Sequence, residues 1–162
     1  MKKIGFEIKW GIRYIFIYLA WTFLEKYTGA YDQNIDYYFL LSILFYVLAF
    51  FVYLIALRDK KENYYHNILE WKQGCASGIY LTIIIAILMP IAQIITHKAI
   101  APEFFPNMIK HSLASKNSNP DAINSYFNLS GYIWQSIFMA LSIGIVYSAI
   151  VARFLQTKPL KK

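Results

Sequence analysis

Apolar residues along this chain gather into four long blocks, and most charges lie between them. Residues 37–57 (YYFLLSILFYVLAFFVYLIAL) contain no Asp, Glu, Lys or Arg. A helix of roughly 20 apolar residues crosses a hydrocarbon core of about 30 Å. Residues 74–96 and 131–153 form two further blocks, the former rich in Ile and uncharged, the latter uncharged through Ala152. Residues 5–27 form the fourth and least regular block: from Trp10 to Leu24 its one charge is Arg13, and it reaches full length by including Lys9. Both cations then have to snorkel to the headgroups. The pattern predicts an all-α integral membrane protein, a four-transmembrane-helix bundle forming a single transmembrane domain over residues 1–162.

The connections are short. In the longest, residues 97–130, Phe104, Phe105, Met108, Ile109, Ser112 and Leu113 share roughly one helical face, which predicts a short interfacial helix. Residues 64–72 (YYHNILEWK) are read as a second interfacial helix.

Charge orients the blocks. Of the 16 Lys and Arg residues, twelve fall on one side: Lys2, Lys3, Lys9, Arg13, Arg58, Lys60, Lys61, Lys72, Arg153, Lys158, Lys161 and Lys162. The other four are Lys26, Lys98, Lys110 and Lys116. Basic residues concentrate on cytoplasmic loops, so both termini and the loop after Arg58 are expected in the cytoplasm. Three spans would part the termini and spoil the asymmetry.

Composition supports the lipid reading. The chain is 58% hydrophobic and 15% charged with mean hydropathy +0.40, whereas soluble domains are about 25% charged. The net charge of +7 does not indicate nucleic acid, because the cations flank apolar blocks instead of forming a stripe on a soluble domain. Membrane lipids are the expected partners. No cleaved leader is expected, since the first block carries Lys9 and Arg13 and lacks a small-residue cleavage site.

Small residues recur at every fourth position in the last block (Ala140, Gly144, Ser148, Ala152) and in the third (Gly74, Gly78, Thr82, Ala86). Such stripes let helices approach closely, either within the bundle or against a protein partner or second copy. Pro90 removes a backbone donor deep in the third block and is read as a kink. No ionisable residue lies in the middle of the second, third or fourth block; Thr82, Gln93 and Gln135 are the polar groups nearest to depth. Lys9 and Arg13 share a helix face, and with Arg58, Lys60, Lys61 and Lys72 they form a candidate contact for a lipid phosphate or anionic headgroup.

Catalytic chemistry is not evident. His66, His97 and His111 fall in different segments, and the lone Cys75 has no partner. No nucleophile elbow, P-loop or dinucleotide fingerprint occurs. Neither an enzyme, a metal site nor a cofactor is expected. Asn128-Leu129-Ser130 matches a glycosylation acceptor.

The chain resembles small bacterial membrane proteins grouped as domain-of-unknown-function family 4199, common in Bacteroidota. The resemblance rests on Lys9-Trp10-Gly11, the exit Ala56-Leu57-Arg58-Asp59-Lys60-Lys61, the re-entry Glu70-Trp71-Lys72-Gln73-Gly74, Ala101-Pro102-Glu103-Phe104 and the small-residue final block. It covers nearly the whole chain and implies four helices in a bacterial cytoplasmic (inner) membrane, with no catalytic residues to carry over. It also implies an association, since members are encoded near polyprenyl-phosphate mannose synthase-like glycosyltransferases. Two functional expectations follow. One is a non-enzymatic membrane subunit that anchors or positions a partner such as a lipid-linked-sugar glycosyltransferase. The other is a small oligomeric transporter, channel or lipid-translocating protein.

Overall fold

The computed structural model describes residues 5–114 and 119–157. All regular structure among them is helical: α1 (Gly5–Tyr27), α2 (Tyr38–Tyr64), α3 (Trp71–Ile95), α4 (Phe104–Leu113), α5 (Pro120–Tyr126) and α6 (Leu129–Leu155). A 3₁₀ turn, Ile35–Tyr37, leads into α2, and a π-helical turn, Thr96–Ile100, extends α3. Three helices are long and apolar enough to cross a membrane: Ile35–Tyr64, Trp71–Ile100 and Leu129–Leu155. The fourth long helix, α1, has 23 residues but carries Glu7, Lys9, Arg13, Glu25 and Lys26.

Successive long helices run in opposite directions. Trp10 Nε1 of α1 donates to Asp59 Oδ2 near the end of α2 at 2.8 Å, while Ser42 near the start of α2 donates to Glu25 near the end of α1. α3 and α6 meet antiparallel through their small-residue stripes. A Cβ on Gly78 would lie 2.5 Å from Ser148 Cβ and 2.9 Å from its Cα. Gly74 faces Ala152, and Gly144 faces Thr82 and the Tyr53 hydroxyl. Backbones this close leave room for hydrogen alone at the glycine. The stripes are therefore occupied inside the bundle, and Ser148, Ala152 and Thr82 are fully buried. Ala140 is half-buried beside the same core. Gly11 lets α1 approach α3 at Ile84 in the same way.

Polar side chains in this core are paired. Thr82 Oγ1 donates to Gly78 O at 2.9 Å and lies 2.8 Å from Tyr53 Oη. Ser148 Oγ donates to Gly144 O, and Tyr147 Oη to Tyr46 O at 2.9 Å. α3 runs through Pro90 without a break in its helix; the irregular backbone comes later, at the π turn, where Ala101 N reaches back to Thr96 O at 2.7 Å.

Two connections differ from expectation. Residues 65–70 do not form an interfacial helix, because His66 and Asn67 adopt φ of 48° and 66°, left-handed backbone that ends α2. Glu70 then starts α3 in a capping box, its N–H donating to Gln73 Oε1 at 3.2 Å. Asn128 serves the fold as well, capping α6 by accepting from Gly131 N at 2.8 Å. The short α4 forms where the amphipathic pattern indicated and closes one end of the bundle, with Phe104 fully buried beside Tyr31 and Ala101.

The opposite end gathers both described chain ends. Phe6 stacks edge-on with Tyr64 at 6.5 Å between centroids, and Thr157 N donates to Leu69 O at 2.8 Å.

Candidate functional site

The six cations expected to meet lipid phosphate all belong to this terminal end, but they do not form one rim. Lys60 is withdrawn from it. Its ammonium is buried against the Glu7 carboxylate, among the rings of Phe6, Tyr64 and Tyr65. A buried charge is tolerated where an opposite charge meets it, and Glu7 on α1 supplies that. Lys61 donates to Leu155 O at 2.8 Å, closing the last turn of α6. Arg58 pairs with Glu62 on the exposed surface of α2 at 2.8 Å. Arg13 lies over the Trp10 ring, 4.7 Å from its centroid. Lys9 and Lys72 are exposed and, with exposed Arg153, remain directed to the surroundings. Lys2, Lys3, Lys116, Lys158, Lys161 and Lys162 lie outside the described residues.

A second site, of which the sequence analysis named only Gln93 and Gln135, lies toward the other end. A chamber of about 270 Å³ opens among α1, α2, the π turn of α3 and the first half of α6. Its walls are aromatic, with Tyr14, Tyr18 and Trp21 of α1 meeting Phe45 of α2 at centroid distances of 5.8, 5.2 and 6.1 Å. Besides its tyrosines, it has two buried ionisable side chains, Glu25 and His97, 5% and 7% exposed respectively.

Glu25 accepts from three donors. Trp21 Nε1, one turn earlier on α1, lies 3.0 Å away. Tyr31 Oη comes from the loop after α1, and Ser42 Oγ from α2 at 3.5 Å. Burial, and next the neighbouring Glu25 carboxylate, push the Tyr31 phenol above its ordinary value, which keeps it a neutral donor around neutral pH. Lys26 turns away from this cluster toward Ile100 O and Glu103.

His97 is placed by the π turn. Its ring lies 4.5 Å from Phe105, 5.0 Å from Phe104 and 5.5 Å from Tyr132 between centroids. Gln93, one turn earlier, donates through Nε2 to Tyr18 Oη at 3.0 Å, and its Oε1 lies 3.0 Å from His97 Nε2. An amide oxygen only accepts, so His97 Nε2 carries the proton and Nδ1 a lone pair. Among the described residues that Nδ1 has no partner. Gln135 also lines the chamber, donating to Tyr126 Oη at 3.2 Å. Thr82 and Pro90 do not line it.

The sequence carried one faint signal for this site. Trp21 and Glu25, like Gln93 and His97, are four residues apart and so share a helix face. Each ionisable member falls at the end of an apolar block, where a charge usually marks the membrane boundary.

The family model described as "Protein of unknown function (DUF4199)" matches residues 9–157. The chain belongs to this family. No match was found among curated proteins or among solved structures. The matched region of this DUF4199 chain takes in α1 from Lys9 onward, the other long helices and the whole chamber, while Phe6 and Glu7 of the Lys60 cluster lie before it. Among its described residues no group of three or more His, Cys, Asp and Glu side chains is placed to hold a metal ion.

Proposed function

We propose that this chain is a four-span subunit of the bacterial cytoplasmic membrane, with both termini cytoplasmic and no chemistry of its own, that positions a partner at the inner face. What supports α1 as the fourth span is its inverted burial. It buries Glu7, Thr22 and Glu25 and turns Ile8, Ile12, Phe16, Phe23 and Leu24 outward, between 44% and 68% exposed. A helix facing water does the reverse. At a 1.5 Å rise per residue, 23 residues extend about 34 Å, enough for the hydrocarbon core.

The observation that carries the functional reading is the unequal charge of the two bundle ends. Arg13, Arg58, Lys9, Lys72 and Arg153 are exposed at the end holding the termini. The chamber end has Lys26, which is paired with Glu103, together with Lys98 and Lys110. Such a face suits the cytoplasmic leaflet and a partner that works on a phosphate-bearing lipid there, such as a polyprenyl-phosphate glycosyltransferase. Because the small-residue stripes are used internally, the partner contact falls to the basic face and the outer apolar faces. Extraction in mild detergent should copurify such a glycosyltransferase in stoichiometric amount, and charge reversal at Lys9, Lys72 and Arg153 should release it. Repeated recovery of the chain alone contradicts the reading.

A second reading, a small oligomeric transporter or lipid-translocating protein, is favoured by one feature: Gln93 and Gln135 both line the chamber. Thr82 and Pro90 have no part in such a path. Flux into liposomes that persists unchanged after substitution of Gln93 and Gln135 would remove it.

A further inference from the structure

The chamber carries an inference that goes beyond partner positioning and does not depend on any partner. We propose that it binds a primary ammonium group borne on an apolar body.

Three features of the walls select that chemistry. The first is charge. Glu25 lines the chamber, and no Lys or Arg does. An ionised carboxylate withdrawn from water needs a counter-charge or several donors. Its three donors, Trp21, Tyr31 and Ser42, leave oxygen lone pairs over, since two carboxylate oxygens offer about four acceptor sites.

The second is the direction of the hydrogen bonds. The indole N–H and the Tyr31 hydroxyl are spent on Glu25. The hydrogen bond from Gln93 goes to Tyr18, and the proton of His97 Nε2 goes to Gln93. The Glu25 oxygens and the buried Nδ1 of His97 are left as acceptors short of donors, and the Thr96 hydroxyl, also unpartnered among the described residues on this wall, can accept as well as donate. A ligand that satisfies both must bring N–H or O–H donors, and the carboxylate favours one that brings positive charge with them. An ammonium bearing three N–H groups does both. A quaternary ammonium has charge but no donor.

The third is the aromatic lining. Tyr14, Tyr18, Trp21, Tyr38, Phe45 and Tyr132 all face the space, and ring faces attract cations most strongly where water is excluded. The mouth suits an apolar body. Phe39 and Ile43 of α2 and Met139 of α6 line the chamber and are themselves exposed, at 74%, 44% and 37%, so it opens sideways between these helices toward the membrane interior.

Such an ammonium has two sources, an aminophospholipid headgroup entering from the bilayer or a free hydrophobic amine. The test uses the full chain, purified in mild detergent and in nanodiscs. Calorimetry compares phenethylammonium with 2-phenylethanol, its neutral counterpart. Native mass spectrometry compares retention of phosphatidylethanolamine with that of phosphatidylcholine. One charge-assisted hydrogen bond corresponds to about a tenfold preference or more, so the amine should bind at least about tenfold tighter than the alcohol, or phosphatidylethanolamine should be retained over phosphatidylcholine by a similar factor. Preference in the calorimetric arm alone identifies a free amine as ligand, and preference in the lipid arm alone identifies the headgroup. Glu25→Gln should abolish either preference, and His97→Phe should weaken it. The comparison in the unaltered protein decides even where a variant fails to fold: no preference in either arm overturns the proposal.

Discussion

Glu7 of α1 and Lys60 of α2 are joined in an ion pair that both side chains reach from within the bundle, 2% and 6% exposed. They stand 53 residues apart, and each supplies the charge the other needs in order to be buried. The pair fixes the start of α1 against the last turns of α2. It also gives one of the five charged residues of α1 a buried counter-charge inside the bundle.

Removing one partner should therefore cost more than removing both. Glu7→Leu or Lys60→Met, each alone, leaves a buried charge without its opposite and is expected to destabilise the protein by about 3–5 kcal/mol. The double variant Glu7→Leu with Lys60→Met should lose less than the two singles summed. Equilibrium unfolding in mixed micelles measures all three; simple additivity would show that the two groups do not interact in the membrane.

The α3–α6 seam should be intolerant of a single methyl group at its closest point. Gly78→Ala is expected to cost about 1–3 kcal/mol, the usual scale of overpacking, because the new Cβ meets Ser148 at both Cβ and Cα. Ser148→Gly should restore only part of the loss, because the clash with the residue 148 backbone persists. Gly5→Ala, with nothing within 4 Å of the added Cβ, is the matched control and should leave the melting temperature unchanged.

Tyr31→Phe should expose the dependence of Glu25 on its donors. Loss of the hydroxyl leaves the carboxylate with Trp21 and Ser42 and is expected to cost about 1–3 kcal/mol. Because the phenol stays neutral in the folded protein while Tyr31 of the unfolded chain ionises at its ordinary value, the advantage of the parent protein over the variant should be full below about pH 10 and shrink as pH rises beyond it. A stability difference that stays flat through that range would mean the phenol titrates in the folded protein as it does in the unfolded chain and is not held neutral there.

The helices themselves were largely legible in the sequence, since a run such as residues 37–57 has few alternatives once it is long and uncharged. The small-residue stripes were legible as close-packing faces too, but their partners were not. Gly78 and Ser148 are 70 positions apart, and spacing within one helix says nothing about which other helix it meets. Lys60 was misread because a lysine after an apolar block usually marks a membrane boundary, and only the fold brings Glu7 to it. The chamber was hidden for a related reason. Glu25 and His97 sit at block ends, where charge is ordinary, and the π turn that aims His97 inward leaves no mark in composition.

The most direct test of the account is whether α1 crosses the membrane. In a Cys75→Ser background, single cysteines at exposed Gly5 and Gln33 can be probed in intact cells with a membrane-impermeant maleimide, with exposed Asn63 and Asn124 as references for the two sides. Four spans require Gln33 and Asn124 to label in intact cells, and Gly5 and Asn63 to label only after permeabilisation. Labelling of Gly5 and Gln33 from the same side would contradict it.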